Sequence, residues 1–111
     1  MKSYTDLEQS KKLAEILPFE SADNYYSWHD ERYYVVNKDC PYPYSLKEKI
    51  PCWSLSALLS VLGFPSLTQN VESKWFITDW TGAYPKSEYG SDNPVDACYE
   101  MILKLYELNL L

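Results

Sequence analysis

The sequence predicts an α+β fold: a small, mainly antiparallel sheet of three to four strands packed against about three helices, in the order α-β-β-α-β-β-α. Three observations carry that prediction. The last segment of the chain repeats apolar residues at helical spacing behind the start signal Asn93-Pro94-Val95-Asp96. Two aromatic and β-branched runs between Tyr25 and Val36 flank the polar residues His29 to Arg32, the pattern of a strand, a turn and a strand. With 111 residues, 46% hydrophobic and 23% charged, the chain has the size and composition of one domain around one core, residues 1–111.

The first helix is expected from about Asp6 to Leu17. Thr5 and Glu8 stand at capping-box spacing, Leu7, Leu13, Ile16 and Leu17 favour one side, and Pro18 stops the run. The hairpin over Tyr25 to Val36 follows. From Asn37 to Pro51 the three prolines Pro41, Pro43 and Pro51 remove ladder donors and restrict the residues before them, so this stretch reads as a long loop.

A short helix comes next, capped by Ser54, with Leu55, Leu58, Leu59 and Leu62 on one face and Gly63 placed to end it. Trp53 can staple onto Leu58. Lys74 to Trp80 reads as a third strand, sending Trp75 and Ile77 toward the helices and Phe76, Thr78 and Trp80 to the opposite face. Gly82 lies in a turn toward a weaker fourth strand around Lys86 to Tyr89. The last helix, about Pro94 to Asn109, carries an apolar stripe of Val95, Cys98, Met101, Ile102, Leu105 and Leu108.

Sixteen acidic against ten basic residues leave a net charge of −6, distributed along the chain rather than gathered in a block. An acidic surface repels phosphate backbones, and Lys47 and Lys49 around Glu48 are too small a basic cluster for a footprint, which argues against direct nucleic-acid binding. No stretch approaches the ~20 apolar residues of a membrane span, and the first residues alternate charge with apolar side chains, unlike a secretory signal. The chain is therefore read as cytoplasmic, with Cys40, Cys52 and Cys98 as reduced thiols.

No residue set assembles a recognised chemistry. One histidine and widely spaced cysteines do not make a zinc site, and the isolated glycines Gly63, Gly82 and Gly90 do not make a phosphate loop. Cys52 just before a helix start, with His29 as base, is the one thiol arrangement to weigh. A small buried cysteine beside Trp53 accounts for the same residue, and Cys52 is expected to be buried and slow to alkylate. Asp92 and Asp96 are accounted for by a helix start, and paired-carboxylate catalysis with Asp79 has no supporting spacing. Catalytic residues, metal and cofactors are thus none.

The aromatic content, with 4 Trp, 11 Tyr and 3 Phe, is the unusual feature. Eleven tyrosine hydroxyls need partners or water, so some rings lie at the surface, where Tyr and Trp make effective contact residues. Trp28, Tyr33, Phe76, Trp80 and Tyr84 are the candidate binding residues, with a core or sheet-covering role as the competing account. Tyr42 and Tyr44 of the long loop can cover Phe76 and Trp80.

Two segments, IPCWSLSALLSVL over Ile50 to Leu62 and DNPVDACYEMILKLYELNLL over Asp92 to Leu111, resemble short uncharacterised proteins of Bacteroidetes gut bacteria associated with phage or mobile elements. The resemblance implies an accessory protein in a bacterial or prophage setting. It brings no assigned activity or functional residue. The expectation is a non-enzymatic protein-protein interaction module, a monomer or weak homodimer with an unidentified protein partner. The alternative is a small-molecule-binding protein with an aromatic-lined pocket.

Overall fold

The α+β class is what the computed structural model shows, over the residues it describes: 2–29, 31–37, 50–63, 65–78 and 90–111. Among them are the helices α1 (Leu7–Ala14), α2 (Leu55–Val61) and α3 (Pro94–Glu107) and the strands β1 (Asn24–His29), β2 (Arg32–Asn37), β3 (Ile50–Cys52), β4 (Ser66–Gln69) and β5 (Trp75–Thr78). The strands form two antiparallel sheets rather than one, ordered β2-β1-β3 and β4-β5. The expected fourth strand at Lys86 to Tyr89 lies outside the described residues, as do Trp80, Tyr84, Tyr42, Tyr44 and Cys40.

Helix α1 is capped one residue later than its sequence spacing suggests. Asp6 accepts from the Gln9 N–H at 2.8 Å, and the Gln9 side chain accepts from the Asp6 N–H at 3.1 Å, closing the box with Asp6 and Gln9 instead of Thr5 and Glu8. Thr5 is withdrawn from capping because it is buried in another task. Its Oγ1 accepts the Trp53 N–H at 3.2 Å and shares a hydrogen bond with Ser10 Oγ at 2.7 Å. The Thr5 N–H in turn donates to the Trp53 carbonyl at 2.9 Å, so residues 3–5 run as an extra extended arm beside the start of α2. Thr5→Val preserves shape but strips the interior Trp53 N–H of its side-chain acceptor. Urea denaturation is expected to show a loss of ~1–3 kcal/mol, and an unchanged midpoint would refute that role.

Pro51 sits in β3, opposite Tyr25, although the run of prolines predicts loop up to that residue. The register explains its tolerance. A two-residue loop joins His29 to Arg32, so that pair closes the hairpin by exchanging backbone hydrogen bonds, and bonded pairs then alternate as 29↔32, 27↔34 and 25↔36. Tyr25 thus spends its backbone groups on β2. Pro51 falls at a non-hydrogen-bonded position of the β1–β3 pair, where a missing N–H costs no ladder bond.

Helix α2 begins as predicted at Ser54, whose hydroxyl accepts the Ala57 N–H, and ends before Gly63 at φ 77°. Asp23 holds the cap from outside, accepting both the Ser54 N–H and its hydroxyl. Strand β4 gives little sequence signal because it is short and polar. Its turn uses the Asn70 side chain, which accepts the N–H groups of Glu72 and Lys74, and places Ser73 at φ 62° where glycine is usual.

Helix α3 starts at the Asn93 cap with Pro94 in its first turn, and Val95, Cys98, Met101, Ile102 and Leu105 are buried as expected. Leu108 is not: the stripe ends one turn early, leaving it 53% exposed. Asn109 at φ 57° lets its N–H reach Tyr106 O at 3.1 Å and the Leu110 N–H reach Leu105 O at 2.8 Å, a Schellman closure that turns the chain off the core. The core joins α3 to Leu13 and Leu17, to Trp53, Leu58 and Leu62, and to Ile77 of β5. Trp75 packs against this cluster and Ile77 is inside it, as the alternation of the strand predicts.

The start of the chain is tied to two helix N-termini at once. Lys2 Nζ donates to Asp6 at 3.0 Å, to Gln9 at 2.7 Å and to Asp96 at 2.8 Å. Burial opposes the charge on both Lys2 and Asp96, but the hydrogen bonds outweigh it, raising the lysine and lowering the carboxyl relative to their ordinary values.

Candidate functional site

Among the described residues, the β1–β2 hairpin carries a cluster of exposed aromatic rings. Its tip is closed through Glu31 at φ 63°, and the strands pair in full from Asn24↔Asn37 to His29↔Arg32. Tyr26, Trp28, Tyr33 and Val35 therefore share one face, and Tyr25, Ser27, Tyr34 and Val36 the other. Trp28 and Tyr33 are directly opposite at a non-hydrogen-bonded pair, where strands bring side chains closest. Their ring centroids lie 4.8 Å apart at 66°, and Tyr33 meets Tyr26 edge-on at 6.4 Å and 88°.

This ladder is anchored at one end and open at the other. Tyr26 is half-buried, donates its hydroxyl to the Thr5 carbonyl at 2.8 Å, and has its acidity suppressed by burial first and by neighbouring Cys52 next. Trp28 is 43% exposed and Tyr33 37% exposed, farther along the same strands. Rings that touch each other lose little freedom when a partner covers them, and they offer large apolar area. On the other face Tyr25 and Ser27 are buried, and Ser27 Oγ finds no hydrogen-bond partner among the described residues.

Of the five candidate residues, the structure brings Trp28 and Tyr33 together. Phe76 belongs to the second sheet, half-buried, and Trp80 and Tyr84 lie outside the described residues. Phe76, Trp75 and Ile77 instead line an open pocket of about 80 Å³ against Met101, Glu100 and Lys104 of α3. Ser91 donates to the Glu100 carboxylate there at 3.0 Å. The pocket is well below the ~300–1,000 Å³ of small-molecule sites. The pocket has no signature in the sequence, since nothing in the spacing of Trp75 and Lys104 sets β5 beside α3.

Cys52 is fully buried, and burial pushes its thiol above the ordinary value despite hydrogen bonds from Thr5 and Ser10. Asn24, not His29, is its partner across the β1–β3 pair. At ~3.4 Å per residue the backbone of His29 lies about 17 Å farther along the strand, so the register does not set the two residues weighed as thiol and base beside each other. Cys98 is buried too and its thiol is pushed up to about 12 by burial. Among the described residues no group of three or more His, Cys, Asp or Glu could hold a metal ion, and no helix is long and apolar enough to cross a membrane. Compared with protein-family models, curated proteins and solved structures, the chain matches none.

Proposed function

We propose that this chain is a non-enzymatic interaction module, a cytoplasmic accessory protein of a bacterium or prophage, which binds a protein partner through the Trp28 and Tyr33 face of its hairpin. The observation that carries the reading is the exposed, mutually packed ring pair on a rooted sheet. Large aromatic rings at a surface are the usual anchors of protein interfaces. The bacterial and prophage setting rests on the resemblance of the Ile50 to Leu62 and Asp92 to Leu111 segments. Among the described residues, the pocket between β5 and α3 is one that the small-molecule alternative would use, and its volume admits only a few heavy atoms.

The test compares wild type with Trp28→Ser and Tyr33→Ser as bait in extracts of a native host. Both variants are expected to keep the wild-type unfolding midpoint to within ~1 kcal/mol, because the rings are partly solvated, while retention of the specific partner falls at least tenfold. Full retention by a stably folded Trp28→Ser variant would remove this face from the interface.

A further inference from the structure

Among the described residues, the three-stranded sheet guards its β3 edge and has no strand paired with its β2 edge. On the β3 side Pro51 lacks a donor, and residues 3–5 form their arm alongside the chain that follows. In the second sheet β5 exchanges backbone bonds with Ser91, at 2.8 and 3.0 Å, and β4 is short and polar. Along Arg32 to Val36, strand β2 shows none of these devices among the described residues. It is six residues long, RYYVVN, without proline or lysine, and no described strand pairs with its outer side. The hairpin register turns the backbone groups of Arg32, Tyr34 and Val36 toward β1, so those of Tyr33 and Val35 point outward.

We infer that β2 is a self-pairing edge, which joins a second copy of this chain in an antiparallel, two-fold arrangement centred on Tyr34. The sequence of the strand is what selects a second copy as occupant. With Tyr34 opposite itself, each outward Tyr33 faces the partner copy's Val35, and four backbone hydrogen bonds form from these residues alone. Tyr34 meets Tyr34 at a close, non-hydrogen-bonded position, and aromatic pairs and aromatic with β-branched pairs are the favourable cross-strand combinations. No like charges are directly opposed from Arg32 to Val36, since Arg32 faces Val36. The two-fold axis stands perpendicular to the sheet, so both Trp28 and Tyr33 steps lie on one continuous face. This inference does not depend on the proposed function: the rings are a face, and the pairing is along an edge.

A single edge buries less than the ~1,200–2,000 Å² of stable interfaces, and each copy carries −6, so association is weak and strengthens with salt. Amide hydrogen exchange reads it residue by residue. Raising the concentration of the intact chain from micromolar to millimolar in high salt is expected to slow exchange at Tyr33 and Val35 about tenfold, with Tyr34 and Val36 protected at every concentration. Sedimentation gives the mass. Val35→Pro removes an outward donor without touching the β1 ladder, and Tyr34→Lys sets two ammonium groups against each other at an exposed site; both are expected to stay monomeric. If Val35→Pro does not fold, Tyr34→Lys and the exchange of the wild-type amides decide. A wild-type monomer at millimolar concentration in high salt, a dimer unaffected by Tyr34→Lys, or an edge taken only by another protein's extended segment would each overturn the inference.

Discussion

Truncation of Ile102 to alanine is expected to lower the unfolding free energy by ~2–5 kcal/mol, whereas Leu108→Ala on the same helix changes it by no more than ~0.5 kcal/mol. Both are leucine-sized side chains in one apolar repeat, so propensity and transfer free energy alone would treat them similarly. Their surroundings differ: Ile102 is fully buried, and Leu108 is half in solvent beyond the point where Asn109 closes the helix. The cluster around Ile102 is supplied by all three helices and by β5. Neighbours fixed on separate elements cannot collapse together into the space left by three carbons, which is why a value toward the upper part of the range is expected. Denaturant unfolding of the two variants at one pH measures the difference directly. Equal losses would mean that the stripe of α3 stays docked through Leu108, and a loss below ~1 kcal/mol at Ile102 would mean that the core is not closed there.

That contrast also shows where local sequence stops being informative. Helices α2 and α3 were legible because their start and stop signals act within a few residues: Ser54 and Asn93 accept N–H groups of their own first turns, and Gly63 takes a left-handed conformation at once. The β1–β2 hairpin was legible for the same reason, its turn being local. Thr5 reads as a cap in the sequence because its competing partner, the Trp53 N–H, is distant along the chain. Strand β3 was invisible because a proline is acceptable in a strand only when the alternation of bonded pairs is known, and that alternation is fixed by the hairpin tip. Strand β4 carries no local signal because Asn70 and Ser73 form the turn that glycine usually marks.

The candidate site was legible only in part, and the reason is similar. Composition predicts that some rings must reach the surface, and it does not say which. Trp28 and Tyr33 become one feature only through the cross-strand register, which pairs them, and through Tyr26, whose hydroxyl bond to Thr5 roots the ladder on the arm that precedes α1. Phe76 looked equivalent in the sequence. It instead packs across a strand-like segment after the second sheet, against a glycine whose role no local pattern announces.

Gly90→Ala is expected to destabilise the protein by ~1–3 kcal/mol, although the substitution adds only one methyl group. The Trp75 and Ser91 bridge sets Gly90 beside Phe76 and Lys74 on the neighbouring strand. A Cβ on Gly90 would stand 2.6 Å from Lys74 Cβ and 2.8 Å from two carbons of the Phe76 ring. Neither contact yields without cost: Lys74 Cβ is fixed by the backbone entering β5, and the rigid Phe76 ring lies across Gly90. Relief must come from moving the strand, which loosens the Trp75 and Ser91 bonds, or from swinging Phe76 into solvent. The first outcome weakens the docking of α3 on β5, and the second empties the wall of the pocket lined by Trp75, Phe76 and Met101. Pairing the change with Phe76→Leu separates them, because the smaller side chain removes the ring clash and leaves the Lys74 clash in place. Recovery of most of the lost stability in the double variant, read in a double-mutant cycle, would assign the strain to Phe76; no recovery would assign it to the strand backbone. A Gly90→Ala variant as stable as wild type would show that the segment entering α3 does not approach β5 this closely in solution.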